Sequence, residues 1–267
     1  MSEPELVIVS DPEAGAVEAA ARIATILADA VAARARADWA TTGGSTPIGI
    51  YRRIGTPPLV DAVPWAAVHV WWGDERYVPR DHPLSNVKPF DDVLLGISGA
   101  EEGTAGGGHP GIPMPLENLH AFPTGEAIGE ARGPGWCAAV LADELRGAGL
   151  DERDGWPVLD LLLLGVGPDG HVLSVFPGSV AFDSIELAMA IPAPSHVEPH
   201  VERVTLNPAV IGVARQEIVV AYGADKAAVI AQILGPERDP RRWPAQLARR
   251  DEATWIIDEA AAASLPR

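Results

Sequence analysis

Hydrophobic positions along the chain follow two alternating rhythms. "ELVIVS" (5–10) is a continuous apolar run, predicting a short buried strand. Ser10 or Asp11 is placed to cap the next element, and Pro12 suits a first helical turn. Val17, Ala20, Ala24, Leu27 and Val31 then recur at helical spacing, which predicts an amphipathic helix over 12–35. "ADWATT" (37–42) leads into "GGSTP", and "IGIYRRI" behind it has helical spacing. "AAVHVWW" (66–72), "LDLLLL" (159–164), "EIVVAY" (217–222) and "TWIID" (254–258) predict further strands. "FDDVLLGI" (90–97) and "AAVLADELRGAG" (138–149) predict helices, as do "ADKAAVIAQIL" (224–234) and "EAAAASL" (259–265) from their composition.

Strands alternating with helices predict an α/β fold, a single three-layer Rossmann-like domain over 1–267 with a mainly parallel central sheet. The strands are continuously apolar and do not alternate, as expected where both faces of a sheet are covered. In such sheets, ligands bind beyond the carboxyl ends of the strands. The most unusual sequence lies at those ends: "GGSTP" after 42, "GDER" after 72 and "GVGPDGH" after 164. These three turns are expected to converge on one crevice. The glycine-rich segment 98–115 is expected to be a connector, and neither a repeat nor a clean linker marks a second domain.

Composition narrows the function classes. The chain has 267 residues, is 47% hydrophobic and carries a formal net charge of −17. Such an acidic surface disfavours nucleic acid and anionic lipid, so neither is expected as a partner. It also disfavours a small anion unless positive groups gather locally. No apolar stretch is long enough for a membrane span, and "MSEPELVIVSDPEAG" lacks the features of a secretory leader. One cysteine, Cys137, fits a reducing compartment, and the expectation is a cytoplasmic protein, monomer or small homo-oligomer.

Gly165, Gly167 and Gly170 spell the G-x-G-x-x-G of dinucleotide sites, but a fingerprint needs a long helix after its third glycine. Pro177 arrives too soon for that helix, so no nucleotide cofactor is expected. "TTGGSTPIGIYRR" (41–53) is better suited to an anion: Gly43 and Gly44 permit close backbone approach, and Ser45 or Thr46 is a candidate cap. A plain strand-to-helix turn explains this stretch equally well. Asp74, Glu75 and Arg76 crowd a strand end, where charges are costly unless paired or used. His171 emerges from a glycine-rich turn at the functional edge and is largely neutral at pH 7, so it can take a proton from water. His69, inside a strand, is read as structural. "HVEPH" (196–200) sets two histidines four apart, but Pro199 forbids the helix that would align them on a metal, and no metal is expected. No G-x-S-x-G elbow supports a serine nucleophile.

Together these segments resemble the 6-phosphogluconolactonase family, in the wider group that includes glucosamine-6-phosphate deaminase. "TTGGSTP" is similar to its G-G-S-T-P turn, "WGDERYVPRDHPLSN" to W-x-D-E-R-x-V-P…S-N, and "LDLLLLGVGPDGHVLSVFPGS" to G-x-G-x-D-G-H-x-x-S-L-F-P-G. "ERVTLNPAVIGVAR", "YGADKAAVI" and "TWIIDEAAAASL" resemble later family segments in the same order. The resemblance implies hydrolysis of 6-phosphogluconolactone, a sugar-phosphate lactone, to 6-phosphogluconate, without a cofactor. It implies His171 as general base, with Asp169 and Asp74 beside it. Asp74 would orient His171 or bind a ring hydroxyl. The phosphate and substrate groups implied are Gly43, Gly44, Ser45, Thr46, Arg76, Gly170, Arg203 and Lys226. Backbone N–H groups at 167–171 would hold the oxyanion. One departure is the stretch "APSHVEPHVERVTL", which lacks the lysine the family often carries there. Deaminases typically read D-E-Y at 74–76 and lack the tail Ser174 to Gly178, which favours the lactonase over that rival. A non-catalytic sugar-phosphate sensor would tend to add a DNA-binding segment or lose the histidine.

Overall fold

The computed structural model describes residues 3–96 and 111–266. Its first half runs β1 (Glu5–Val9), α1 (Pro12–Arg34), β2 (Ala37–Thr41), α2 (Thr46–Ile54), α3 (Leu59–Ala62), β3 (Val68–Trp72), β4 (Asp74–Arg76), α4 (Lys88–Phe90), β5 (Leu119–His120), α5 (Thr124–Gly129) and α6 (Pro134–Gly147). The second half comprises β6 (Glu152–Arg153), β7 (Trp156–Pro157), β8 (Leu161–Gly165), β9 (Ala188–Ile191), β10 (Arg203–Leu206), α7 (Ala209–Val213), β11 (Glu217–Ala221), α8 (Ala227–Ile233) and β12 (Ala253–Asp258).

Seven strands form a wholly parallel sheet in the order β1-β12-β11-β8-β2-β3-β5. Every residue of β2 and β11 is buried, so helices cover both faces, as the unbroken apolar runs predict. From the middle the chain winds outward twice, through β2, β3 and β5 on one side and β8, β11 and β12 on the other. The reversal point lies between β2 and β8, where a crevice opens at the carboxyl ends. A small antiparallel sheet, β4-β10-β9, extends from this edge. Its strands span only three or four residues each, too short for a hydrophobic period to reveal.

Helix α1 is capped by Asp11, whose side chain accepts from Ala14 N at 2.9 Å, and it buries Ala19, Ala20, Ile23, Ala24 and Leu27. Small residues let it close on its neighbours: a Cβ on Gly49 of α2 would lie 3.0 Å from Ala16 Cβ. Trp39, Tyr51 and Phe90 stack edge-on beneath β2 with centroids 5.3–6.3 Å apart. His69 hydrogen-bonds His120 across β3 and β5 at 2.9 Å, in keeping with a structural role.

Two local expectations fail. Strand β1 is an outer edge with Leu6 41% and Ile8 52% exposed, because only one neighbour, β12, covers it. Residues 259–265 form turns instead of a helix: the Asp258 carboxylate takes Ala261 N at 2.8 Å, and Pro266 comes within a few residues. The helix expected over 90–97 forms as α4 continued by a wider π-helix at 91–95. Most of the 98–115 connector, and Ile97, lie outside the described residues.

Glu217 begins β11 fully buried; Arg250 holds one oxygen at 2.9 Å, while Oε2 has no partner among the described residues. Burial pushes its carboxyl up to about 8 against the offsetting charge of Arg250, from an ordinary 4.5. The native state thus holds this proton longer than the unfolded chain, so the group favours the fold below about pH 4.5 and loses that advantage as pH climbs to about 8. Glu217→Gln keeps the shape without the ionisation. The unfolding temperature of the variant relative to the unaltered chain is expected to rise from pH 5 to 8.5. A pH-independent difference in thermal scans would refute this.

Candidate active site

The crevice at the reversal point has a volume of about 420 Å³ and receives all three expected turns. Thr42, Gly43, Ser45 and Thr46 enter from the end of β2, Asp74 and Arg76 from β4, and Gly165 to Pro168 with His171 from β8. Arg203 of β10 and Tyr222, Asp225 and Lys226 after β11 complete the wall.

Glu75 fixes the first corner. It is fully buried, and its carboxylate accepts from Ser85 Oγ (2.9 Å) and from the amides of Arg76 (2.7 Å), Asn86 (2.7 Å) and Val87 (3.1 Å). Burial nevertheless raises its carboxyl to about 7 against those hydrogen bonds. The strap at 85–87 is thereby tied to β4. Asn86 then donates to Asp74 Oδ1 at 3.1 Å, and Ser174 donates to Asp74 Oδ2 at 2.6 Å. Asp74 is held by these two side chains and has no hydrogen bond to His171, so the option that it orients the imidazole is not what the structure places there. A Cβ on Gly43 would sit 2.0 Å from Asn86 Oδ1, so this glycine makes room for the strap. Gly44 adopts φ +83°, the left-handed turn that starts α2. Ser45 occupies the N-cap position but makes no capping bond, leaving its hydroxyl to the crevice.

Arg76 and Arg203 are direct partners across the antiparallel β4–β10 pair. Opposed like charges destabilise a sheet. Neither guanidinium forms an ion pair among the described residues; each gives one N–H to a carbonyl, of Leu84 (2.8 Å) and Pro199 (3.1 Å) respectively. Burial, with the charge of Arg76, lowers the pKa of Arg203 against the counter-pull of Asp74. Both Nε atoms are buried without partners, as are Asn86 Oδ1 and Tyr222 Oη, and all four residues line the crevice. Buried polar groups are normally satisfied, so the two guanidinium Nε donors stand out, whereas the Asn86 oxygen packs against Gly43 and the Tyr222 hydroxyl against Gly15. Lys226 adds a third cation, with only a loose contact to Asp225 at 3.7 Å.

The histidine lines the same crevice. Its Nδ1 donates to Asp169 Oδ1 at 2.5 Å, which fixes the tautomer and leaves Nε2 free of protein partners among the described residues. A Cβ on Gly167 would lie 2.0 Å from the ring, so this glycine is the seat of the imidazole. Burial opposes ionisation of Asp169, yet hydrogen bonds from His171 and His196 and the charge of His171 outweigh it and hold the carboxyl well below the usual range. The amides of Gly167, Gly170 and His171 are spent inside the turn, on His171 O, Gly167 O and Asp169 Oδ1, and Pro168 has none. Of the amides at 167–171, only that of Asp169 has no partner among the described residues. Gly170, with φ +83°, backs onto Trp243 and Val229 away from the crevice, and it and Gly44 are missing from its lining. Both serve the turn's shape.

Several residues of the site escape sequence reading. Asn86, Ser174 and Tyr222 carry no local signal of their roles, since their partners lie far away in sequence. The lysine-free stretch 193–206 brings His196 to Asp169 Oδ2 at 2.8 Å, while His200 turns to Pro194 O at 2.7 Å, so the two histidines share no partner. Among the described residues no cluster of three metal-binding side chains occurs, and no helix is long and apolar enough to cross a membrane.

Gly167→Ala is expected to unseat the imidazole while shifting the unfolding temperature only a few degrees, about the scale of one modest packing change. The check is the nitrogen NMR of His171, whose Nδ1–H signal should lose its hydrogen-bonded position. An unchanged signal would sink this account of the glycine.

Comparison with known proteins agrees with this fold. The family model described as glucosamine-6-phosphate isomerases/6-phosphogluconolactonase matches residues 10–256. A 6-phosphogluconolactonase of Streptomyces coelicolor is 33% identical over 99% of this chain and 95% of that protein, and one of Mycobacterium leprae is 32% identical over 97% of each. The solved 6-phosphogluconolactonase of Trypanosoma brucei superposes with a TM-score of 0.81 at 26% identity over the full length of both chains. A monomeric glucosamine-6-phosphate deaminase shares the fold, with a TM-score of 0.73 at 19% identity over 97% of this chain and 99% of that one. With nearly the whole chain matched by model, relatives and fold alike, it belongs to the glucosamine-6-phosphate isomerase/6-phosphogluconolactonase family.

Proposed function

We propose that this chain hydrolyses the ester of 6-phospho-D-glucono-1,5-lactone to 6-phospho-D-gluconate, the lactonase step of the oxidative pentose phosphate pathway. The observation that carries this reading is the presence in one crevice of an unpaired arginine pair and a histidine whose tautomer is fixed by a carboxylate. It accords with the 6-phosphogluconolactonase names of the curated relatives.

The phosphate lies among Arg76, Arg203, Lys226 and the Gly43–Thr46 turn, where the first amides of α2 and the hydroxyls of Ser45 and Thr46 add donors. The lactone ring then reaches towards His171. Nε2 takes a proton from a water as that water attacks the lactone carbonyl, and Asp169 steadies the imidazolium that forms. The tetrahedral intermediate collapses with cleavage of the ring C–O bond. Its leaving oxygen recovers the proton from His171, so the open-chain acid is released and the base regenerated. Asp74, fixed by Asn86 and Ser174, is an acceptor for a ring hydroxyl. A strained, activated ester needs no covalent nucleophile, which fits a site whose reactive group is a base.

His171→Ala is expected to lower kcat by about 10² to 10⁴ while leaving phosphate binding intact, the range for loss of one general base. The assay subtracts spontaneous hydrolysis at the same pH. No rate above that background in the unaltered protein would overturn the lactonase reading, and near-full activity in the variant would remove His171 from its role. Arg76→Ala and Arg203→Ala should each raise KM about tenfold or more, as loss of a charged hydrogen bond does. Stabilisation by inorganic phosphate in thermal scans should weaken in both variants, and undiminished stabilisation would exclude these arginines as phosphate ligands.

A further inference from the structure

Asp169 is gripped from both sides. Its Oδ1 accepts from the His171 amide (3.2 Å) and from His171 Nδ1 (2.5 Å), while its Oδ2 accepts from His196 Nε2 at 2.8 Å. The two rings are braced by one aromatic: Phe176 lies 4.6 Å from His171 and 5.7 Å from His196, with the Arg203 guanidinium 5.4 Å from the same ring. His196 is 52% exposed, so it is not there to fill a core. Pro192, Pro194 and Pro199 stiffen the loop that delivers it, because each ring fixes its backbone φ.

A carboxylate bound to one partner through one oxygen can rotate about its terminal torsion, which is broad for Asp. Binding the second oxygen removes that freedom and aims the first oxygen at Nδ1. It also divides the carboxylate's negative charge between two rings, leaving less of it for the imidazolium of His171. We propose that His196 is a positioning residue which, through the second oxygen of Asp169, holds His171 in its reactive tautomer and sets how readily that imidazole gives its proton back. The role rests on the lactonase reading of the site, but the contact itself is testable without it. The other charged groups near this pair are Arg203, in the field of Asp169, with Asp74 beyond it, and Glu198 on the same loop. His200 is turned to Pro194, with Glu198 at 3.7 Å, and does not reach Asp169.

Two variants test this: His196→Ala removes the donor, and His196→Gln keeps a neutral one. In His196→Ala, kcat is expected to fall about fivefold with KM within about twofold, the scale of one lost hydrogen bond. The acidic limb of the kcat/KM profile and the NMR titration midpoint of His171 in the free protein should both move up by about half a pH unit, because Asp169 then serves His171 alone. His196→Gln should recover most of kcat and part of both shifts. Unchanged kcat and an unmoved His171 titration in His196→Ala would overturn the proposal, as would a rise in KM alone, which would make the segment merely part of the crevice wall. Should the unaltered protein show no lactonase activity, the functional reading fails, while the NMR titration still decides whether His196 acts on His171 through Asp169.

Discussion

A carboxylate shut away from water has to be met by donors, and at Glu75 that requirement organises the whole functional edge. Four groups, from Arg76, Ser85, Asn86 and Val87, converge on it. Because three of them belong to one strap, the strap cannot leave β4 without stranding a buried acid. The consequences run outward. Asn86 rests over Gly43 and grips Asp74; Ser174 meets the other oxygen of Asp74, which ties the tail of the histidine turn to β4; and β4 pairs with β10, which brings Arg203 opposite Arg76. Turns far apart along the chain are thus fixed in one crevice by satisfying a single desolvated charge.

That arrangement also lets a chain of net charge −17 gather positive charge at one point. At the opposite edge of the sheet, a cavity of about 250 Å³ is also rich in arginine, yet there each cation meets a carboxylate: Arg34 and Arg215 meet Asp160, Arg36 meets Asp38, and Arg215 also meets Asp151. Charge there is cancelled and the role is structural. In the crevice Arg76 and Arg203 are left opposed and without a carboxylate partner among the described residues, an arrangement that costs stability. Local pairing, and not the net charge, decides where a negative ligand is welcome.

The central strands of the parallel sheet are legible in the sequence because they are doubly buried apolar runs, and the crevice because unusual turns come after β2, β3 and β8. Relations between distant positions are not legible in the same way. Nothing in "ERVTL" says that Arg203 will stand opposite Arg76, and the small sheet that pairs them has strands too short for a period. Asp74 and Asp169 are rival partners for His171 in the sequence, and only geometry separates them. The resemblance implies free amides at 167–171, whereas the tightness of the turn takes those of Gly167, Gly170 and His171 and leaves that of Asp169. Pro199 breaks a helical pairing of His196 with His200, which argues against a metal; the same proline-rich stiffness instead delivers His196 to Asp169.

The tail after the histidine shows how conformational cost is carried at such a site. Leu173 holds φ +54°, a left-handed conformation that a branched side chain adopts at a cost of about 1–3 kcal/mol. Its side chain fills the space over Gly73, where a Cβ would come within 2.5 Å of it, and the kink sends Ser174 to Asp74 and Phe176 to the two histidines. A change of backbone at 173 would redirect the turn 172–175 and with it both anchors. The strain is therefore held in place by contacts on both sides of the crevice, and the imidazole inherits their rigidity. Glycines make the turn possible, but the serine and phenylalanine beyond them give it one shape.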